Sequence, residues 1–568
     1  MTRCILLPTL VAIVGATVAF AETGRAQDSN SLPDSIARRV DSVFVAYDKP
    51  GSPGCALGVY RNDTISYTRG YGMANLEHAV SITPKTVFDI GSTSKQFTAM
   101  SLALLAKDGK LSLDDDIRKW IPEMPVYKRP VTIRQLLHHT GGLRDYLTLM
   151  DLRGTDFDGV TTDKDALDLI VRQKETNFDP GSEHLYSNSG YFLLSEIVKR
   201  EAGKSLSKFA EASIFTPLGM SQTHFHDDHT MIVPNRATGY SPRDGGGFEI
   251  AMSGFEQTGD GAVMTTVEDL LLWDRNFYAP KVGDAELIAL LQRPGKLTDG
   301  KELTYASGLT TGSRNGMKTV RHGGSWAGYR ADLLRFPERH TSVSVLCNLA
   351  TSNPSRLADE VADIVIGPPR LAGATTSQKP AGSRARKNAV KLSPSELARF
   401  TGRFRNSETG DVLEIAVKDQ MLSVSVAPTL HVVSVAPNRF EVQGAGVPIG
   451  LVFDPARNGG ALTMRMTVGT QKPSSYVAFT PVSLTEAELA EYSGGYYSEE
   501  LDITYAIVID SGALLLRHTG AERRLQPTII DNFSTSQLTL RFTRDGSNRV
   551  TGVSINAGRV RNIRFEKR

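Results

Sequence analysis

Cysteine is nearly absent from this chain, with three residues in 568, at positions 4, 55 and 347. So few exclude a disulfide-stapled scaffold, and none has the spacing of a metal site. An excess of either charge is absent too, since 64 basic residues meet 62 acidic ones for a net of +2. That balance removes any electrostatic reason to expect nucleic acid or an anionic membrane as partner, and leaves a small uncharged or zwitterionic substrate open. Beyond the N-terminus no apolar run is long enough to span a membrane. The N-terminus itself reads MTRCILLPTLVAIVGATVAFAETG, with Arg3, an apolar stretch from Ile5 to Phe20 that contains Pro8 and Gly15, and Ala19-Phe20-Ala21 before Glu22. This is the pattern of a signal peptide over 1–21, with an uncleaved anchor as the alternative; the mature chain is expected to be exported, periplasmic or secreted. Cys4 lacks a lipobox context. Cys55 and Cys347, in the strand-like runs CALGVY and SVSVLCNL, can pair if their strands are neighbours, and are otherwise buried thiols.

The length predicts roughly three or four domains. Residues 55 to 72 alternate as a hairpin about Asn62-Asp63, helical patterns dominate to about Asp274, and strand patterns return at HGGSWAGYRADLLRFPE and TSVSVLCNLA. Strands at both ends with helices between predict an α/β (α+β) domain over 30–366, an antiparallel sheet flanked by helices with a helical subdomain. A linker rich in Pro, Gly, Ser and basic residues follows over 367–391. Beyond it LSPSELARFTGRF, from Leu392, and LTEAELAEYSGGY, from Leu484, match in pattern, and alternating hairpins follow each. Two small antiparallel β-barrel-like repeats are expected, over 392–483 and 484–568.

Three short motifs carry the chemistry. Ser92-Thr93-Ser94-Lys95 places a hydroxyl and an ammonium one turn apart if helix starts at or before Ser92, and the largely apolar run after it supports such a helix. A helix N-terminus and Lys95 would together activate Ser92 as a nucleophile. Ser205-Leu206-Ser207-Lys208 fits the same pattern but reads as a helix cap. Tyr186-Ser187-Asn188 lies in a loop ahead of a helix read from Tyr191 onward, where it can present a phenol and a carboxamide to a cleft. Tyr186 serves as a base only if positive charge such as that of Lys95 lowers its ordinary pKa of about 10. Asn188 would orient Lys95. In Arg321-His322-Gly323-Gly324-Ser325 the glycines let a strand edge approach substrate, so that the Ser325 and Ser92 amides face a developing oxyanion, while His322 donates or accepts at the leaving group. His139-Thr140-Gly141 and His518-Thr519-Gly520 share its spacing; the first reads as a turn and the second lies far from the sheet.

In this order and context the motifs resemble the serine β-lactamase and penicillin-binding protein superfamily, in its class C-like branch with D-aminopeptidases and esterases. LLHHTGGLRDY, FDPGSEHLYSNSGY, IFTPLGMSQT and GDGAVMTTVEDLLLW are similar to that branch as well, over about residues 30 to 366. The resemblance implies an acyl-enzyme hydrolase with Ser92 as nucleophile, Lys95 and Tyr186 as base system, Asn188 as positioner, His322 at the third motif, and Ser325 with Gly323 and Gly324 at the oxyanion and substrate site. The paired barrels resemble the lipocalin-like units of three-domain D-aminopeptidases. The branch's β-lactamases carry Lys-Thr-Gly where this chain has His322-Gly323-Gly324, and a neutral His holds a β-lactam carboxylate less well. D-amino-acid peptides, amides or small esters, possible cell-wall peptides included, become the expected substrates, with β-lactams as the alternative. No cofactor is expected. Two readings from other classes stand beside this one: a zinc hydrolase using His224, His226, Asp228 and His229 of the H-x-H-x-D-H pattern, and a non-catalytic binding protein on the same scaffold.

Overall fold

A computed structural model describes residues 31–367, 392–425, 431–443, 449–454, 461–469, 472–519 and 521–568. The signal segment expected at 1–21 and, Gly367 apart, the linker expected at 367–391 lie outside the described residues.

Asn62 and Asp63 both take left-handed backbone angles, φ 47° and 63°, the conformation a two-residue hairpin turn requires. Strands Cys55–Arg61 and Thr64–Tyr71 therefore fold back on each other. They join the strands from the far end of the domain in one antiparallel sheet, ordered Thr310–Arg314, Met317–Trp326, Tyr329–Phe336, Thr341–Cys347, Cys55–Arg61, Thr64–Tyr71. The register sets Cys55 directly opposite Cys347, and the two sulfurs are bonded. Strands Cys55–Arg61 and Thr341–Cys347 are almost wholly buried because both faces of the sheet are covered. Val40 and Phe44, with Leu357 and Val361 of helix Pro354–Ile366, pack on Leu57, Val59, Val343 and Val345. Helix Val267–Arg275 lies on the other side, in the cluster that holds Ala56 and Leu346. The inserted helices pack around Lys95–Lys107, a largely apolar helix buried on nearly every side, whose buried polar residues Lys95, Gln96, Thr98 and Ser101 are all hydrogen-bonded.

The two C-terminal repeats are closed eight-stranded antiparallel barrels. Each opens with a five-residue helix fixed by a capping box, Ser393 with Glu396 and then Thr485 with Glu488. Period-two alternation fills the first interior with side chains such as Phe404, Leu413, Ile415, Phe440, Leu451 and Phe453, a core of its own. The second barrel's core is continuous with that of the N-terminal domain. At that junction Arg144 donates from Nη1 to Glu500 Oε1 at 2.6 Å and to Gln173 at 2.9 Å, and from Nε and Nη2 to the carbonyls of Arg561 and Asn562. Arg144 and Glu500 are 1% and 7% exposed, a buried pair whose hydrogen bonds lock the barrel against the loop before helix Tyr146–Arg153.

Candidate active site

Gly91 has φ +48°, and its N–H is held by Asp89 Oδ1 at 2.7 Å. The chain then enters a 3₁₀ turn, Gly91–Ser94, before the α-helix Lys95–Lys107. The helix expected at or before Ser92 thus opens with the tighter 3₁₀ geometry, in which residues i and i+3 eclipse, so Lys95 stands directly over Ser92. Lys95 Nζ donates to Ser92 Oγ at 3.0 Å, to Asn188 Oδ1 at 3.0 Å and to the Asp260 carbonyl. All three of its N–H bonds are used, and the side chain is fully buried.

Asn188 is the first residue of helix Asn188–Ala202, which begins three positions ahead of the expected Tyr191. Its N–H goes to Asp145 Oδ2 at 2.7 Å, while Asp145 Oδ1 accepts from Thr148 N at 3.1 Å and caps helix Tyr146–Arg153. One buried carboxylate therefore ties two helix starts together. Tyr186 precedes them in the loop, its ring 4.1 Å from that of His139. Lys95 Nζ lies 4.9 Å from the centroid of the same ring and the Arg559 guanidinium 4.8 Å. The Tyr186 hydroxyl is buried and has no hydrogen-bond partner among the described residues.

The third segment forms the end of strand Met317–Trp326. A Cβ on Gly324 would stand 1.8 Å from the Ile90 carbonyl, and one on Gly91 would stand 2.7 Å from Ser325 N. Bare backbone at both positions lets strand and turn touch, bringing Ser325 beside Ser92. Gly323 is different, since the nearest atom to its Cβ would be 3.5 Å away. His322 also departs from expectation. Its Nδ1 donates to the Gly323 carbonyl at 2.7 Å, which leaves Nε2 to accept from Tyr305 Oη at 2.9 Å. Burial, helped by the charge of Lys95, pushes its pKa down to about 4. His322 is a neutral imidazole with both nitrogens engaged, so it has no free atom for a leaving group. Ser92, Tyr186, Asn188, His322, Gly323, Gly324 and Ser325 line one open cavity of about 720 Å³.

The Beta-lactamase family pattern matches residues 40–367, more than half of the chain. The chain belongs to that family. It is a hydrolase of the β-lactamase-related serine type. A D-aminopeptidase of Cereibacter sphaeroides (strain KD131) is 26% identical over 552 residues, covering 94% of this chain and 99% of the relative. A D-aminopeptidase of Gluconobacter oxydans is 29% identical over 319 residues, 56% of this chain and 60% of that protein. Among solved structures, the octameric penicillin-binding protein homologue from Pyrococcus abyssi shares the fold over 78% of this chain and 99% of its own, with a TM-score of 0.55 at 20% identity. EstCE1, a hydrolase with promiscuous acyltransferase activity, shares it over 59% and 99%, with a TM-score of 0.51 at 23% identity.

Four residues at this site had no site role in the sequence reading. Asp260, in Gly259-Asp260-Gly261, has its carboxyl pushed up to about 7 by burial, and accepts from Tyr146 Oη. His139, whose His-x-Gly spacing reads as a turn, does sit at φ +55°, but it is 2% exposed and packs in the ring cluster of Tyr186, Tyr191 and Tyr305. Tyr305 lies outside every motif, and Arg559 comes from the second barrel. His518, expected far from the sheet, packs beside Gly154 at the end of helix Tyr146–Arg153, outside the sheet.

The zinc set does not assemble as expected. His224 Nε2 and His226 Nδ1 are 3.4 Å apart, but the ligand atoms within common reach among the described residues belong to Asp228, His229 and Glu256. Burial lowers the pKa of His224, on the short strand paired with Val263–Thr265, and that of His226 to about 4, and His226 faces the Ser92 cavity. Ser205 caps helix Leu206–Ala210 through a bond from Lys208 N at 3.3 Å.

Proposed function

We propose that this protein hydrolyses peptides or amides of D-amino acids through an acyl-enzyme on Ser92. The observation that carries this reading is the threefold donation of Lys95 to Ser92 Oγ, Asn188 and the Asp260 carbonyl, which fixes a nucleophile against an ammonium at a helix start. Ser92 Oγ attacks the carbonyl carbon, and the oxyanion is received by the Ser92 and Ser325 amides. Tyr186, deprotonated beside the charges of Lys95 and Arg559, takes the Ser92 proton and gives it to the leaving amine as the C–N bond breaks, while the Lys95 ammonium holds Ser92 Oγ and keeps its own protons. Water then attacks the ester, its proton returns by Tyr186, and the acid is released with Ser92 restored. His322, neutral and doubly bonded, shapes this wall without exchanging a proton. D-aminopeptidase relatives that align along 91 to 94% of the chain, barrels included, support the substrate class. The N-terminal segment supports export, which fractionation of the expressing cell tests.

A panel of D- and L-aminoacyl amides, short esters, D-Ala-D-Ala peptides and a chromogenic cephalosporin tests the reading, together with mass analysis of a fluorophosphonate adduct. D-aminoacyl amides should be turned over, with the label on Ser92. Ser92→Ala should lower turnover by roughly 10⁴- to 10⁶-fold, as for other covalent nucleophiles. Retained activity in Ser92→Ala that chelator abolishes would refute it.

A further inference from the structure

Strands Val550–Ala557 and Val560–Lys567 are the last two of the second barrel, and the turn between them carries Arg559 into the Ser92 cavity. The turn is clamped in place. Asn177 Nδ2 donates to the Arg559 carbonyl at 2.9 Å, Arg561 N–H donates to Asn177 Oδ1 at 2.8 Å, and Arg144 holds the carbonyls of Arg561 and Asn562. The backbone is thus fixed, while the Arg559 side chain stays 44% exposed. Its guanidinium lies over the Tyr186 ring and 3.8 Å from Asp145 Oδ2, an oxygen already bonded to the Asn188 N–H. A guanidinium has five N–H donors in a planar fork, so most of these remain for a ligand.

The other charges around the cavity point the same way. Arg236 and Arg330 line it with Arg559, whereas its acids are Asp89 and Asp260, 6% and 8% exposed. Both acids are occupied inward, Asp89 by the Gly91 N–H and Asp260 by Tyr146 Oη, and burial raises the pKa of each, to about 6 and about 7. A substrate ammonium entering here meets guanidiniums and no exposed carboxylate among the described lining residues. A substrate carboxylate meets a matching fork.

We propose that Arg559, delivered by the second barrel, selects substrates that carry a carboxylate over neutral or amine-bearing ones. This rests on the Ser92 hydrolase reading and ranks D-residue peptides or amides with an acidic side chain, an acidic N-acyl group or a free C-terminal carboxylate above plain D-aminoacyl amides among its substrates. It also gives the barrel a role in specificity.

The test uses the full chain and three matched pairs of D-residue substrates: a D-Glu against a D-Gln side chain, an N-succinyl against an N-acetyl group, and a C-terminal acid against its carboxamide. In at least one pair the wild type should favour the acid in kcat/KM by about 10- to 100-fold, the range of a charge-assisted hydrogen bond. The pair that responds identifies the source of the carboxylate. Arg559→Ala should bring that ratio near one, Arg559→Glu below one, and Arg559→Lys should keep part of it. Taking a ratio cancels any change at Tyr186 common to both substrates, and fluorophosphonate labelling of Ser92 shows that each variant is folded. Turnover with acid-to-neutral ratios at or below one in all three pairs, or a ratio unchanged in Arg559→Ala, overturns the carboxylate preference alone. No turnover and no labelling in the wild type overturns the hydrolase reading and this inference with it.

Discussion

Glu500→Ala breaks a buried ion pair at the junction of the second barrel with the N-terminal domain. Arg144 and Glu500 are 1% and 7% exposed and 2.6 Å apart, so removal of the carboxylate leaves a guanidinium buried without its counter-charge. The Lys174 N–H, which donates to the same oxygen at 2.8 Å, loses its acceptor as well. Breaking a buried pair in this way destabilises by about 3–5 kcal/mol, because the remaining charge keeps its desolvation penalty. Arg144 retains Gln173 and the carbonyls of Arg561 and Asn562, which places the expectation at the lower end, about 3 kcal/mol. Glu500→Gln keeps an acceptor and removes only the charge, so about half of that loss is expected. Trp120, Trp273 and Trp326 are the chain's three tryptophans and all belong to the N-terminal domain. Urea unfolding followed by their fluorescence therefore reports on that side of the junction, and a midpoint lowered by about 1 M or more is expected at ordinary urea sensitivities. A loss below about 1 kcal/mol in Glu500→Ala would refute the reasoning, since it would mean that the pair is hydrated and the barrel is not locked to the domain.

Three further outcomes follow from the same geometry. Gly324→Ala should largely abolish fluorophosphonate labelling of Ser92, because its Cβ would stand 1.8 Å from the Ile90 carbonyl, whereas Gly323→Ala, with 3.5 Å of space, should remain labelled. Replacing Cys55 and Cys347 by serine should destabilise the chain by about 2–4 kcal/mol in oxidising buffer and leave it indifferent to reductant, since the bond closes a loop of 292 residues. Asp260 has its pKa raised from 3.8 to about 7 on folding, so its stabilising contribution is complete below about pH 4 and is lost as pH rises toward 7. The Asp260→Asn variant should show a shallower fall in unfolding free energy between pH 4 and 7 than the parent; equal slopes would rule out Asp260 as the titrating group.

Local pattern by itself determined the elements and their kind. Asn62-Asp63 marks the hairpin because few residue pairs tolerate two successive left-handed conformations. Ser393 and Glu396, then Thr485 and Glu488, mark where each barrel repeat begins. Ser92 and Lys95 carry their relation in their spacing, since three residues is one turn in either helical geometry. The first turn of Lys95–Lys107, the true start of helix Asn188–Ala202 and the fate of Cys55 and Cys347 were settled by contacts between segments far apart in sequence. Packing against Tyr305 likewise engaged Nε2 of His322, whereas Nδ1 bonds to the carbonyl of the next residue, Gly323. Arg559 shows the limit most plainly. No pattern within its own hairpin points to a cavity in another domain, because its place depends on how the second barrel docks through Arg144, Asn177 and Glu500. Periodicity and spacing reach about one element along the chain; which side chains share a cavity is set by packing between elements, and that exists only in the folded molecule.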